Sequence, residues 1–179
     1  MRDRRKKGTR RLAFAAILSA LGVVLLELGS LVEMLDLSAA ILVSVFVAYA
    51  MIELRGAYPY LLYGVTALLA VLIWPSGTAT WAYLLFAGYY PIVKYHLESR
   101  LPKVLAWVLK IAVFLLGGGA AAAVWMGVLT PNGPALLAAQ WWILLLLPPV
   151  LVLYDIALTR LITFYLLRLR RRFPFLKFE

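Results

Sequence analysis

Three ionisable residues lie inside long apolar stretches: Lys110 in the fifth stretch, and Asp155 and Arg160 in the sixth. A charged side chain at the centre of a membrane helix costs about 2.5–3.5 kcal/mol, so such groups usually pair or line a cavity. Their chemistry is either a proton or ion relay or a structural pair of Asp155 with Lys110 or Arg160. A relay usually needs a second carboxylate at depth, and Glu27 and Glu53 lie near opposite faces. We therefore expect a structural pair.

A second group of residues combines aromatic rings with polar side chains. These residues lie at those ends of the apolar stretches where the adjoining loops carry no Lys or Arg. A belt of tryptophan at the membrane interface explains some of them. A pocket with aromatic walls and a few polar anchors would instead bind a small planar ligand. Both interpretations stay open. In a pocket, we expect stacking walls from Trp81 and Trp141 and polar anchors from Asn132, Gln140 and Asp36.

Small residues mark two surfaces where helices can approach closely, as membrane helices do when they associate. Ala16 and Ala20 are spaced four residues apart in the first stretch, overlapped by Ala15 and Ser19. This face either packs inside the chain or docks on a partner. The second surface is the glycine and alanine run over residues 117–123, for which we expect internal packing.

The elements that must position these residues are six apolar segments. The chain is 65% hydrophobic with a mean hydropathy of +0.93, against about 45–50% apolar residues in soluble domains. We predict an all-α integral membrane protein, a bundle of six transmembrane helices. The segments are Leu12–Leu28, Leu37–Ile52, Ala57–Trp74, Thr78–Val93, Val104–Leu129 and Leu136–Leu167, the last bent at Pro148 and Pro149.

The positions of the basic residues predict the orientation. Loops near 29–36, 75–78 and 130–135 hold no Lys or Arg, whereas the N-terminal tail, 53–56, 94–103 and the C-terminal tail hold all of them except Lys110 and Arg160. Basic residues favour the cytoplasmic side. We therefore expect both termini in the cytoplasm of a cell-membrane protein. Its parts are a basic tail (1–11), the membrane domain (12–167) and a basic interfacial tail (168–179) on anionic lipid.

Composition also argues against several functions. A net charge of +10 would suggest nucleic acid in a soluble protein, but these basic residues flank apolar spans, so we expect no nucleic-acid partner. The chain has no Cys and a single His, His96, which leaves no thiolate or multi-histidine metal site. Hydrolase, kinase and phosphate-loop motifs are absent from the sequence. We expect neither an enzyme nor a bound cofactor.

Residues 10–40 resemble the start of the substrate-binding S components of energy-coupling factor vitamin transporters. The stretch RRLAFAAILSALGVVL is similar to that family's basic start and alanine-rich first helix. Leu35-Asp36-Leu37-Ser38 resembles its first loop entering helix two, although Ala39-Ala40-Ile41 stands where the family often has a proline. The size and the six-helix plan are also similar.

The resemblance implies capture of a vitamin-like small molecule on the outer side, for uptake driven by partner subunits. The protein would have no ATPase of its own. It would dock through helix one, at positions matching Ala16 and Ala20, on a membrane coupling subunit that a pair of cytoplasmic ATPases drives. The ligand would lie among the outer loops and the outer halves of helices four to six.

The alternative is a bacterial membrane scaffold of the MreD-like, shape-determining class, which acts by binding partner membrane proteins. Such proteins have a similar length and helix count. A scaffold also explains the small-residue faces and the basic tails. It does not explain the polar and aromatic residues clustered at the predicted outer ends.

Overall fold

The computed structural model describes residues 2–124 and 142–169, in which all regular structure is helical. Short turns of other helix types lie at Glu33–Leu35 (3-10) and at Tyr83–Ala87 and Tyr165–Leu169 (π). The predicted all-α class is therefore confirmed for these ranges. The α-helices are α1 (Arg2–Leu31), α2 (Asp36–Glu53), α3 (Tyr58–Ile73), α4 (Thr78–Ala82), α5 (Tyr90–Arg100), α6 (Lys103–Val124) and α7 (Trp142–Phe164).

Within residues 2–124 and 142–169, three helical stretches are long and apolar enough to cross a membrane: Gly8–Leu31, Asp36–Glu53 and Lys103–Ala120. Their mean hydropathies are 2.3, 1.7 and 1.7. A span needs roughly 17–25 helical residues, so their lengths of 24, 18 and 18 residues suffice. The chain is thus a membrane-associated helical protein. The predicted end of the fifth segment and start of the sixth lie outside the described residues.

Helix α1 begins at Arg2, ten residues before the predicted start at Leu12. Arg and Lys are good helix formers, so the basic tail continues the apolar helix instead of forming a separate frayed segment. The Tyr58 hydroxyl donates to the Gly8 carbonyl at 3.4 Å, which joins this part of α1 to the start of α3.

The predicted fourth segment, Thr78–Val93, is not one regular helix. The Gly88 amide donates to the Tyr83 carbonyl at 2.8 Å, five residues back, and forms a π turn between α4 and α5. The Leu84 carbonyl instead accepts the Tyr63 hydroxyl at 2.7 Å. A Cβ at Gly88 would lie 2.8 Å from ring carbons of Tyr63 and Tyr83, so this close approach requires glycine.

Pro91 explains why the α-helical pattern resumes only at α5. Proline has no N–H, so the Ala87 carbonyl, four residues earlier, has no donor in the helix. The Tyr154 hydroxyl of α7 lies 3.2 Å from that carbonyl and 2.8 Å from Ser44 Oγ, so these two acceptors share its single hydrogen. Since α5 continues to Arg100, the helix extends well past the predicted end at Val93.

Contacts between helix ends show that successive long helices alternate in direction. Ser30 of α1 accepts the Ala79 amide at 3.2 Å, so these two meet at one end of the bundle, which we call the acidic end (residues 27–36 and 74–80). At the opposite, basic end (residues 53–60, 94–103 and 164–168), the Tyr165 hydroxyl donates to Glu53 Oε1 at 3.1 Å.

The core between the helices is built largely from small residues. Ala40, Ala50, Ala70, Ala79 and Ala87 are fully buried, which lets helix backbones approach closely as in other membrane bundles. The glycine run behaves the same way at one position. A Cβ at Gly117 would collide with the Tyr89 hydroxyl, so this part of the run packs internally as expected, while Gly119 faces open space.

Candidate functional site

Four charged side chains meet where α5, α6 and α7 pack together, and we call them the buried charge cluster: Lys94, Lys110 and Asp155, which are buried, and Glu98, whose side chain is 49% exposed. Lys94, Lys110 and Asp155 are 2–4% exposed. Lys110 Nζ lies 3.2 Å from both carboxylate oxygens of Asp155 and 2.5 Å from Glu98 Oε1. Lys94 Nζ forms a close ion pair with Asp155 Oδ1 and lies 3.3 Å from Glu98 Oε1. Two ammonium groups therefore face two carboxylates.

Neutral donors and acceptors complete the cluster. The Tyr90 hydroxyl donates to Asp155 Oδ1 at 2.7 Å. The Lys94 ammonium donates to Thr159 Oγ1 at 2.8 Å and to the Asp155 carbonyl at 3.3 Å. A buried ion pair is tolerated when its remaining hydrogen-bonding capacity is met, and here the shared Asp155 carboxylate has partners on α5 and α6.

Helix spacing brings these side chains together. Tyr90, Lys94 and Glu98 are each four residues apart on α5, so they lie on one face. Lys110 of α6 and Asp155 of α7 face the same stripe. The cluster therefore ties three helices together at one level of the bundle, near the basic end.

The geometry fits a structural pair of Lys110 with Asp155. The other cation beside Asp155 differs from the one predicted. Arg160, the other expected partner, is exposed, and Lys94 supplies the second cation instead. The charge pattern of the sequence places Lys94 in a basic loop over 94–103. It is inside a helix because α5 continues past Val93 to Arg100. The signal in the sequence was the four-residue spacing of Tyr90, Lys94 and Glu98 on one helix face.

Two of the five predicted ligand-binding residues lie at the acidic end or directly beside it: Asp36 and Trp81. Asp36 Oδ2 accepts a short hydrogen bond from Thr78 Oγ1, whereas its Oδ1 is buried without a hydrogen-bond partner among the described residues. The Trp81 indole N–H donates to the Pro75 carbonyl at 2.7 Å, which fixes the half-buried ring against the loop before α4. Trp141, Asn132 and Gln140 lie outside the described residues.

Further polar atoms at the acidic end lack hydrogen-bond partners in the part of the chain that the structure describes. Both carboxylate oxygens of Glu27 are buried without one, as is the hydroxyl of Thr80. A Cβ at Gly77 would lie 2.9 Å from Ser30 Oγ and 3.3 Å from Thr80 Oγ1, so α1 and the loop before α4 approach closely at this end. Buried polar groups are nearly always satisfied in proteins. An incoming donor would therefore find unused acceptors on Glu27 and Asp36.

The two overlapping small-residue pairs of α1 face different ways. Ala15 and Ser19 are buried in the bundle, at 4% and 3% exposure. Ala16 and Ala20 are exposed. They belong to a stripe of exposed residues at four-residue spacing, which we call the α1 outer stripe: Leu12, Ala16, Ala20, Val24 and Leu28. Internal packing thus uses one pair and leaves the other on the surface.

Comparison with known proteins gives no relative: no protein-family model, no curated protein and no solved structure matches this chain.

The buried charge cluster predicts that Asp155→Asn destabilises the protein by about 3–5 kcal/mol, because two buried ammonium groups lose their shared carboxylate. Adding Lys94→Met should recover part of that loss, since it removes one of the two ammonium groups that would then share the Glu98 carboxylate alone. Thermal unfolding in detergent, followed by tryptophan fluorescence, measures both effects.

Arg160→Gln is the matched control, a neutralised charge five residues further along the same helix at an exposed position. It should leave the melting temperature nearly unchanged. A melting temperature for Asp155→Asn equal to that of the unaltered protein would contradict the structural role.

Proposed function

We propose that this protein captures a small cationic heterocycle, a vitamin-like nutrient, at its acidic end for ATP-driven uptake by partner subunits. The observation that carries the proposal is the set of buried carboxylate oxygens of Glu27 and Asp36 that have no hydrogen-bond partner in the described chain. An isolated buried carboxylate is costly, and a cation that pairs with it removes much of that cost.

The charge pattern of the acidic end supports a cationic ligand. The loops near 29–36, 75–78 and 130–135 contain Glu33 and Asp36 and no Lys or Arg, and Glu27 lies one turn before the first of them. A ligand with a positive charge would meet attraction from each of these groups and no repulsion from a nearby basic residue. An aromatic wall at Trp81 would contact the flat face of a heterocycle, and a cation–π contact would add to the attraction.

The proposal includes the full membrane topology: six spans, both termini in the cytoplasm, and the acidic end on the outer face of the cell membrane. The segregation of Lys and Arg to the tails and to 53–56 and 94–103 supports it. The structure refines one part of that argument, because Lys94 is buried in α5 and contributes no charge to the loop. Arg100 is the last residue of α5 and Lys103 is the first residue of α6, so both still lie at this junction.

Cysteines introduced singly into this cysteine-free chain test the topology. With the acidic end outside, a cysteine at Ser76 should react with an impermeant maleimide added to intact cells. A cysteine at Ser99 should react only after the membrane is opened. The reverse pattern would refute the proposed orientation.

A cationic ligand should stabilise the purified protein, by about 2.7 kcal/mol when its concentration is a hundred times the dissociation constant. The measurement is a thermal shift against a panel of vitamins and related heterocycles that differ in charge. We expect shifts from cationic members, and loss of the shift in Asp36→Asn and in Trp81→Ala.

Asp3→Asn is the control, since it removes an acid from the opposite end of α1 and should keep the shift. Stabilisation by anionic compounds alone would contradict the charge argument. Loss of the shift in Asp3→Asn as well would show that net charge, and not the acidic end, governs binding.

Partner docking is proposed on the α1 outer stripe, because two small residues there leave room for another helix to approach. The double substitution Ala16→Leu and Ala20→Leu should abolish co-purification with a membrane coupling subunit and its ATPases. Pull-down from detergent-solubilised membranes, with the partners identified by mass spectrometry, measures this.

The matched control places leucine at two other exposed alanines, Ala112→Leu and Ala157→Leu, on α6 and α7. It should keep the partners. If the unaltered protein brings down membrane proteins without any ATPase, and no small molecule shifts its melting, the scaffold function replaces nutrient capture.

A further inference from the structure

The basic end contains a cavity that nutrient capture does not use. Its volume is about 520 Å³, and its polar lining comes from Arg55, Tyr60, Tyr95 and His96. The cavity lies between the α2–α3 turn and α5. It is therefore at the opposite end of the bundle from Glu27 and Asp36.

The basic group of this cavity has an unusual backbone. Arg55 has φ of 54°, the only positive φ of a non-glycine residue in the described chain, and Gly56 follows with φ of 61°. A non-glycine residue in the left-handed region is uncommon, and such positions are over-represented at binding sites. The tight turn places Arg55 in the cavity wall just after α2 ends at Glu53.

Two aromatic side chains and the histidine form the opposite wall. The Tyr60 hydroxyl and His96 Nε2 are 2.5 Å apart, and their rings stack with centroids separated by 6.3 Å. The Tyr95 ring meets the His96 ring edge-on at 5.6 Å. Arg55, two tyrosines and a histidine thus line one space, where the guanidinium, the Tyr95 hydroxyl and the donor left over from the Tyr60–His96 pair can bind an oxyanion.

An apolar groove adjoins this cavity between α2 and α7. It has a volume of about 210 Å³, and its walls include Val45, Ala48, Leu158 and Leu161. Ile52 lines both spaces, so the groove meets the cavity at that residue. The donor groups at the basic end of the bundle therefore lie directly beside an apolar surface that runs along the helices.

We propose that the two spaces together bind one anionic phospholipid, with the phosphodiester headgroup in the Arg55 cavity and an acyl chain in the groove. Arg matches phosphate geometry through its planar fork of donors. The apolar groove provides the surface that an acyl chain needs, and burial of each CH₂ of a chain is favourable. The one acid at this junction, Glu53, is buried and accepts the Tyr165 hydroxyl, so it does not line the cavity.

The experiment uses the full chain in nanodiscs of phosphatidylcholine with about 20 mol% phosphatidylglycerol, which makes the membrane surface anionic. Native mass spectrometry of the released protein counts the phospholipids that stay bound. We expect one retained phosphatidylglycerol, and at most weak retention of phosphatidylcholine.

Two substitutions test the two parts of the site separately. Arg55→Asn removes the charge and keeps a residue that tolerates a left-handed backbone, so it should lower the apparent affinity for phosphatidylglycerol about tenfold, as expected for one lost charge-assisted hydrogen bond. Leu161→Trp fills the groove and should lower retention of either lipid.

Each substitution has a matched control. Arg100→Gln removes an exposed basic residue at the same end of the bundle, and Leu153→Trp adds the same bulk to α7 at an exposed position outside the groove. Both should retain the lipid. Undiminished binding in Arg55→Asn and Leu161→Trp, or equal loss in the two controls, would overturn the site. Circular dichroism of each variant shows that the helices are intact.

Discussion

The ion pairing of Asp155 with Lys94 and Lys110 is the constraint on which the packing of α5, α6 and α7 depends. All three groups are at most 4% exposed, and none could be left alone in an apolar interior without a large cost. Each helix contributes one of these charges, so a register that separated Lys94, Lys110 and Asp155 would leave buried charges unpaired. Packing of small and aliphatic residues alone would allow several registers, so the charges supply specificity beyond stability.

Tyrosine has a similar role where the backbone is irregular. The π turn and Pro91 leave the carbonyls of Leu84 and Ala87 without their usual helical donors. The Tyr63 hydroxyl donates to the first, and the Tyr154 hydroxyl lies 3.2 Å from the second. In a membrane no water replaces a missing donor, so a break in a helix survives only where neighbouring side chains satisfy it. The irregular turn is therefore stabilised by side chains of the surrounding core.

The two ends of the bundle differ in chemistry. Glu27 and Asp36 leave buried carboxylate oxygens without partners at the acidic end. Arg55, with its left-handed backbone, lines a cavity of donors at the basic end. A cationic small molecule fits the first and a phosphate headgroup fits the second, so the two proposed sites differ in the sign of charge they bind. The two sites are separated by the length of the helices, so a substitution in one of them does not contact the other.

The sequence by itself determined the helical class, the membrane association and most segment positions, because long apolar runs between basic flanks leave few alternatives in lipid. It also indicated that Lys110 and Asp155 would need partners, since charges at depth are costly. Only the tertiary structure decided that Lys94, and not Arg160, is the second cation, because the choice depends on where α5 ends and which face it turns to α7. The same holds for the split of Ala15 from Ala16 and for the Arg55 cavity. Both depend on contacts between residues far apart in the chain, which periodicity along a single helix does not contain.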